Sequence, residues 1–167
     1  MLVALNYTFR SAVLEGDLHD LAFLCELYAS TRREEMALSG WPEDQIEDFL
    51  KQQFQAQHVF YQEHFRHACF DLILDGSGRP IGRLYLEETG KEFRIIDIAL
   101  LPDSRRKGIG GDIMKELIAR ASKVGKSITI HVEQNNPAMS LYLRLGFQKK
   151  EERGLYDFME LATSDRA

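Results

Sequence analysis

At 167 residues, with 44% apolar and 28% charged side chains, the chain can bury a sizeable core and is too apolar for a disordered or fibrous class. Its formal net charge of -5 argues against a broad nucleic-acid surface, which needs a basic face. No apolar run approaches the roughly 18 residues of a membrane span, and Cys25 and Cys69 lack zinc-site spacing.

The remaining composition fits one domain over residues 1–167. Met1 to Phe9 carries no basic segment followed by a long apolar stretch, so the start of the chain does not read as a secretory leader. Two unpaired thiols fit a reducing, cytoplasmic setting.

In chain order, residues 8–12 read as a short strand, closed by a turn and helix cap at Glu15, Gly16 and Asp17. Leu18, Leu21, Ala22, Leu24, Cys25 and Tyr28 follow a helical stripe. Ser39, Gly40, Trp41 and Pro42 break that helix, and Pro42 suits the start of the next. The second helix presents Ile46, Phe49, Leu50 and Phe54 and runs toward Tyr61. Residues 68–74 and 80–87 form a hairpin about Asp75, Gly76, Ser77 and Gly78. After a turn at Thr89, Gly90 and Lys91 comes a β-rich run over 93–101. Ile109, Ile113, Leu117, Ala121 and Val124 then repeat at helical spacing. A strand over 127–133, a short helix from Asn136 and Pro137 to Leu145 with a Gly146 cap, and strands over 147–151 and 155–161 complete the chain, with a polar, frayed tail past Ala162. The order β-αα-βββ-α-β-α-ββ predicts a mixed α/β (α+β) domain.

Between the run at 93–101 and the helix at 109 lies the most informative segment, Arg105, Arg106, Lys107, Gly108, Ile109, Gly110 and Gly111. A strand, a basic glycine-rich turn and a helix N-terminus together make a diphosphate-binding device. The orphan N–H groups of the first helical turn and the positive end of its dipole point at the anion. Glycines let the backbone approach, and three cations add fixed charge. No Gly-Lys-Ser/Thr follows, so this is not a P-loop, and its place in the chain is wrong for a dinucleotide fingerprint. It points to a nucleotide-like cofactor.

A second motif joins it. With Arg105-x-x-Gly108-x-Gly110, the chain carries Asn135-x-x-Ala138-x-x-Leu141-Tyr142-x-x-x-Gly146-Phe147, and a helix and a strand separate the two. Together these resemble the GNAT superfamily of acyl-CoA-dependent N-acetyltransferases, strongly from about Phe93 to Phe147 and weakly from Leu18 to Phe65. The resemblance implies a mixed, mostly antiparallel sheet of about seven strands flanked by about four helices. It also implies a V-shaped opening for the pantetheine arm of acetyl-CoA. By position, the backbone of Ile98 and Leu100 would bond the pantetheine and polarise the thioester carbonyl. The amides from Arg106 to Gly111 would wrap the pyrophosphate, Asn135 would touch the arm from the other strand, and Tyr142 would sit near the sulfur.

The implied chemistry is attack of a neutral amine on the thioester, an oxyanion adduct, and loss of thiolate. A phenol of pKa about 10 can protonate that thiolate, so Tyr142 is the catalytic candidate, its alternative being an aromatic that packs the short helix. Histone-type members carry a glutamate six residues before the position of Leu100, where this chain has Arg94. Asp97, Glu87, His131 and Glu133 stand as candidate bases by strand location. Trp41 is either an acceptor platform or a staple on the second helix. His58, His64 and His67 read as a polar helix face, and no metal is expected. The resulting expectation is acetyl transfer from acetyl-CoA to a small-molecule or protein amine by a monomer or homodimer, with no nucleic acid or membrane partner. The alternatives are a GNAT-fold module that binds acyl-CoA without turnover, or an acyltransferase with a longer donor or a hydroxyl acceptor.

Overall fold

The structure, a computed structural model, describes residues 5–163. The expectations for the first four residues and for the tail past Thr163 lie outside them. The elements follow the order read from the sequence: β1 (Tyr7–Ser11), α1 (His19–Ala37), α2 (Glu43–His64), β2 (Cys69–Asp75), β3 (Pro80–Glu88), β4 (Glu92–Leu100), α3 (Ile109–Lys123), β5 (Ser127–Glu133), α4 (Met139–Leu145), β6 (Gln148–Arg153) and β7 (Tyr156–Leu161). A 3-10 turn, Pro102–Ser104, precedes α3. The seven strands form one sheet, ordered β1-β2-β3-β4-β5-β7-β6. Every neighbouring pair is antiparallel except β4 and β5.

Strand alternation sorts the side chains into two cores. On one face Leu84, Phe93, Ile95, Ile128 and Ile130 pack against Ile113, Met114 and Leu117 of α3 and against Tyr142 and Phe147. On the other, Leu72 and Tyr85 pack against Leu24 and Tyr28 of α1 and Leu50 and Phe54 of α2. The expected α3 stripe holds at Ile113, Leu117 and Ala121, but Val124 is 55% exposed. Its φ of -105° has already left the helix, so its side chain swings off the stripe. Leu18 likewise stands before the first helical turn of α1 and is exposed. The short helix begins at Met139, because Asn136 spends its side chain on the Ala138 N–H (2.9 Å) in the preceding turn.

Ion pairs at the surface tie the helices down. Asp20 of α1 takes Arg10 of β1 at 2.8 Å and the Val13 N–H at 2.7 Å, while Arg33 joins Glu26 to Glu47 of α2 at 2.5 and 2.9 Å.

Candidate active site: an opening between two parting strands

Parallel β4 and β5 share only four pairs, from Glu92 with Ser127 to Ile95 with Ile130. At that point β4 bulges: Asp97 faces Tyr85 and Ile95 faces Leu86, so Ile96 has no partner on β3. A bulge bends and over-twists its strand. Beyond it β4 stays with β3 as far as Leu100, and β5 stays with β7 as far as Glu133. An opening results between residues 96–100 and 131–133.

The backbone of β4 faces this opening in a defined way. Leu101 donates its N–H to the Ile81 carbonyl at 2.8 Å. With a strand period of two, the polar groups of Ala99 face β3 while those of Ile98 and Leu100 face the opening. Arg105 folds back here, its Nε donating to the Leu100 carbonyl at 2.9 Å. The Leu100 carbonyl is therefore occupied, and Arg105 clips the strand exit.

At the same end the chain turns into α3. Arg106 (φ 60°) and Gly108 (φ 84°) are both left-handed, a conformation that costs a non-glycine residue on the order of 1 kcal/mol. The first helical bond runs from the Asp112 N–H to the Gly108 carbonyl at 3.0 Å. Among the described residues the N–H groups from Arg106 to Gly111 therefore have no acceptor. Such a nest at a helix N-terminus has the geometry that suits an anion. Gly108 and Gly111, with Asp112 and Lys115, form one wall of a groove of about 460 Å³, and Leu141, Arg144 and Leu145 of α4 form the other.

Tyr142 of α4 lies in the core shared by β4, β5 and α3. A Schellman closure holds this helix end, with Gly146 (φ 101°) donating to the Leu143 carbonyl and Phe147 to the Tyr142 carbonyl, both at 3.1 Å. Tyr142 stacks edge-on against Phe147 at 5.9 Å and is buried. Burial first, and then the charge of Asp97, push its phenol up to about 12. Asn135 is exposed in the turn that leaves β5, at the same end of the sheet as the basic turn.

Of the remaining candidates, Trp41 packs edge-on against Phe49 at 5.5 Å and is about half exposed, so it pins the start of α2. His58 stacks on Phe54 and His64 on Phe60. Two features on the α1/α2 side of the opening escape the sequence reading. Arg32 of α1 pairs with Glu133 at the end of β5. Arg83 of β3 lies buried, 3% exposed, with its Nη2 donating to Asp97 at 2.5 Å and to Gln57 of α2 at 2.9 Å. The one available signal is an arginine inside the otherwise apolar run of β3.

The family model described as acetyltransferase (GNAT) family matches residues 23–147. The chain belongs to this family. Among solved structures, the PaiA N-acetyltransferase of Thermoplasma acidophilum, in complex with coenzyme A, matches with a TM-score of 0.66 at 18% identity, over 93% of this chain and 98% of that one. A GNAT superfamily phosphinothricin acetyltransferase of Sinorhizobium meliloti, in complex with AcCoA, matches with a TM-score of 0.56 at 23% identity, over 94% and 88%. At these identities the likeness is one of fold. Among curated proteins, an uncharacterized N-acetyltransferase of Methanocaldococcus jannaschii is 26% identical over 65% of this chain and 58% of its own length. YqkA of Bacillus subtilis is 35% identical over 45% of this chain and 22% of its own length. The chain thus spans only part of both curated relatives. The mixed sheet with its parting strands is the GNAT fold that the two sequence motifs predict.

Proposed function

We propose that this GNAT protein transfers an acetyl group from acetyl-CoA to a primary amine, small or protein-borne, by direct attack on the thioester. The observation that carries this reading is the opening past Ile95 and Ile130, floored by free β4 backbone and ending at unpartnered N–H groups. The pantetheine arm lies between β4 and β5, bonded by Ile98 and by the Leu100 N–H. The pyrophosphate rests on the amides of Arg106, Lys107, Gly108, Ile109, Gly110 and Gly111, with the cations of Arg105, Arg106 and Lys107 beside it. Asn135 borders the arm from the β5 side.

Tyr142 gives its phenolic proton to the departing thiolate. Its raised pKa keeps that proton in place at neutral pH. The Ile98 N–H stands where an oxyanion donor acts during attack. Residues 1–167 serve as one unit, monomer or homodimer, and the free thiols Cys25 and Cys69 suit a cytoplasmic setting. Among the described residues no helix is long and apolar enough to cross a membrane.

Calorimetric titration with acetyl-CoA, with adenosine 3′,5′-bisphosphate as control ligand, tests the reading. Saturable one-to-one binding is expected, followed by thiol release on addition of amines. A folded protein that does not bind acetyl-CoA overturns it.

A further inference from the structure

Of the four candidate bases, Glu87, Glu133, His131 and Asp97, three are already engaged. Glu87 holds Arg94 at 3.3 Å. Glu133 is taken by Arg32 and by the Tyr156 hydroxyl at 3.4 Å. His131 Nε2 accepts from Arg153 at 2.9 Å, which occupies the lone pair a base needs. Asp97 differs. Its Oδ2 takes Arg83 at 2.5 Å and the Tyr61 hydroxyl at 3.5 Å, but Oδ1 has no partner among the described residues. The side chain keeps 19% of its surface open.

Position singles out the same carboxylate. Asp97 follows the bulged Ile96 and precedes Ile98, whose N–H faces the opening, so it stands where the strands part. Arg83 holds it rigidly: its guanidinium, nearly inaccessible, is pinned from α2 by Gln57 at 2.9 Å. A buried arginine bonded this way fixes the direction of the carboxylate it meets. The arginines on the α1/α2 side of the opening are meanwhile each paired with a carboxylate: Arg32 with Glu133, Arg83 with Asp97 and Arg153 with Glu151. None is free to receive a carboxylate on the acceptor.

We propose that Asp97 is the acceptor-binding residue: its open Oδ1 receives the acceptor nitrogen as an ammonium, and the acceptor is a primary amine with no carboxylate on the carbon that bears it. This rests on the acetyl-transfer reading above. The ammonium loses one proton to solvent and the free amine attacks the thioester carbonyl carbon, forming the C–N bond. As the C–S bond breaks, the proton shed by nitrogen passes to Oδ1, and the thiolate takes the Tyr142 phenolic proton. Return of the Asp97 proton replaces the one Tyr142 gave, so a turnover releases one proton in all. An α-amino acid fails because its carboxylate meets Asp97 as a like charge.

The test uses the full chain carrying carboxyl-labelled aspartate, saturated with coenzyme A and titrated with n-butylammonium chloride. The Asp97 side-chain resonance, assigned through the backbone so that no variant has to fold, is expected to shift saturably. Norvaline, the amino acid of the same skeleton, is expected to leave it unmoved. In thiol release from acetyl-CoA, Asp97→Asn is expected to lower kcat/KM for n-butylamine about 100-fold, with acetyl-CoA affinity within about twofold of the parent. An unmoved resonance, norvaline acting as well as n-butylamine, or an unchanged kcat/KM in folded D97N overturns the proposal. If acetyl-CoA itself does not bind, the acetyl-transfer reading falls, and the same titration without coenzyme A still decides whether Asp97 receives an ammonium.

Discussion

Ile95 of β4 and Ile130 of β5 are the last residues the two parallel strands pair, and the residue after Ile95 is the bulged Ile96. The sheet divides at this rung. Whatever holds the far end of β4 against β3 therefore also sets the width of the opening.

Gly82 is one such hold. A Cβ there would lie 2.4 Å from the Ala99 carbonyl and 2.8 Å from a Leu100 methyl, so Gly82→Ala must push the end of β4 away from β3. Overpacking of this kind costs about 1–3 kcal/mol. Urea unfolding should register that loss, and calorimetry should find weaker acetyl-CoA binding. A variant with unchanged affinity would mean that the end of β4 has slack.

Arg105 has two tasks in the proposed site, the clip on the Leu100 carbonyl and positive charge beside the pyrophosphate. Arg105→Glu should weaken acetyl-CoA binding by at least about tenfold without unfolding the domain. Ionic strength should matter less to the variant than to the parent. Equal affinity would place the pyrophosphate elsewhere.

Tyr142→Phe should lower kcat by about 100-fold while leaving the acetyl-CoA Kd nearly unchanged. With the phenol raised to about 12, the parent should keep its kcat through pH 10 and lose it only as the tyrosine ionises. The stability linked to this group is complete below the ordinary tyrosine value of about 10 and drains away as pH rises toward the folded value. Alkaline unfolding should accordingly begin above pH 10 in the parent and later in the variant. A rate indifferent to the substitution would make Tyr142 a packing residue alone.

At the other pole stands Asp20. Its hydrogen bond from Arg10 outweighs the opposing effect of burial, and the folded carboxyl ionises below its usual range. Its stabilisation is therefore full above about pH 4 and is lost as pH falls through the depressed value. Asp20→Ala should cost about 2 kcal/mol at pH 7 and progressively less as pH falls through the lowered value. A cost that did not shrink on acidification would assign the effect to packing.

Much of this was legible in the chain itself because the signals are local. The basic turn and apolar periodicity act over a few residues, so the element order emerges from spacing, while the second motif is legible through its resemblance to the GNAT family. Helix ends were less legible. Asn136, Leu18 and Val124 each sit where a side-chain bond or a departing φ, rather than apolar spacing, decides the boundary.

The sequence by itself determined that a β-αα-βββ-α-β-α-ββ chain would place a basic, glycine-rich turn after its fourth strand and Tyr142 on a helix beyond the fifth. Only the tertiary structure decided which charges are free. Arg32 finds Glu133 across about a hundred positions, and Arg83 on one strand finds Asp97 on the next and Gln57 on α2. Such pairings depend on register, on the bulge at Ile96 and on how α1 and α2 lie over the sheet. No local spacing encodes them, because electrostatic partners are chosen by distance through space and not by distance along the chain.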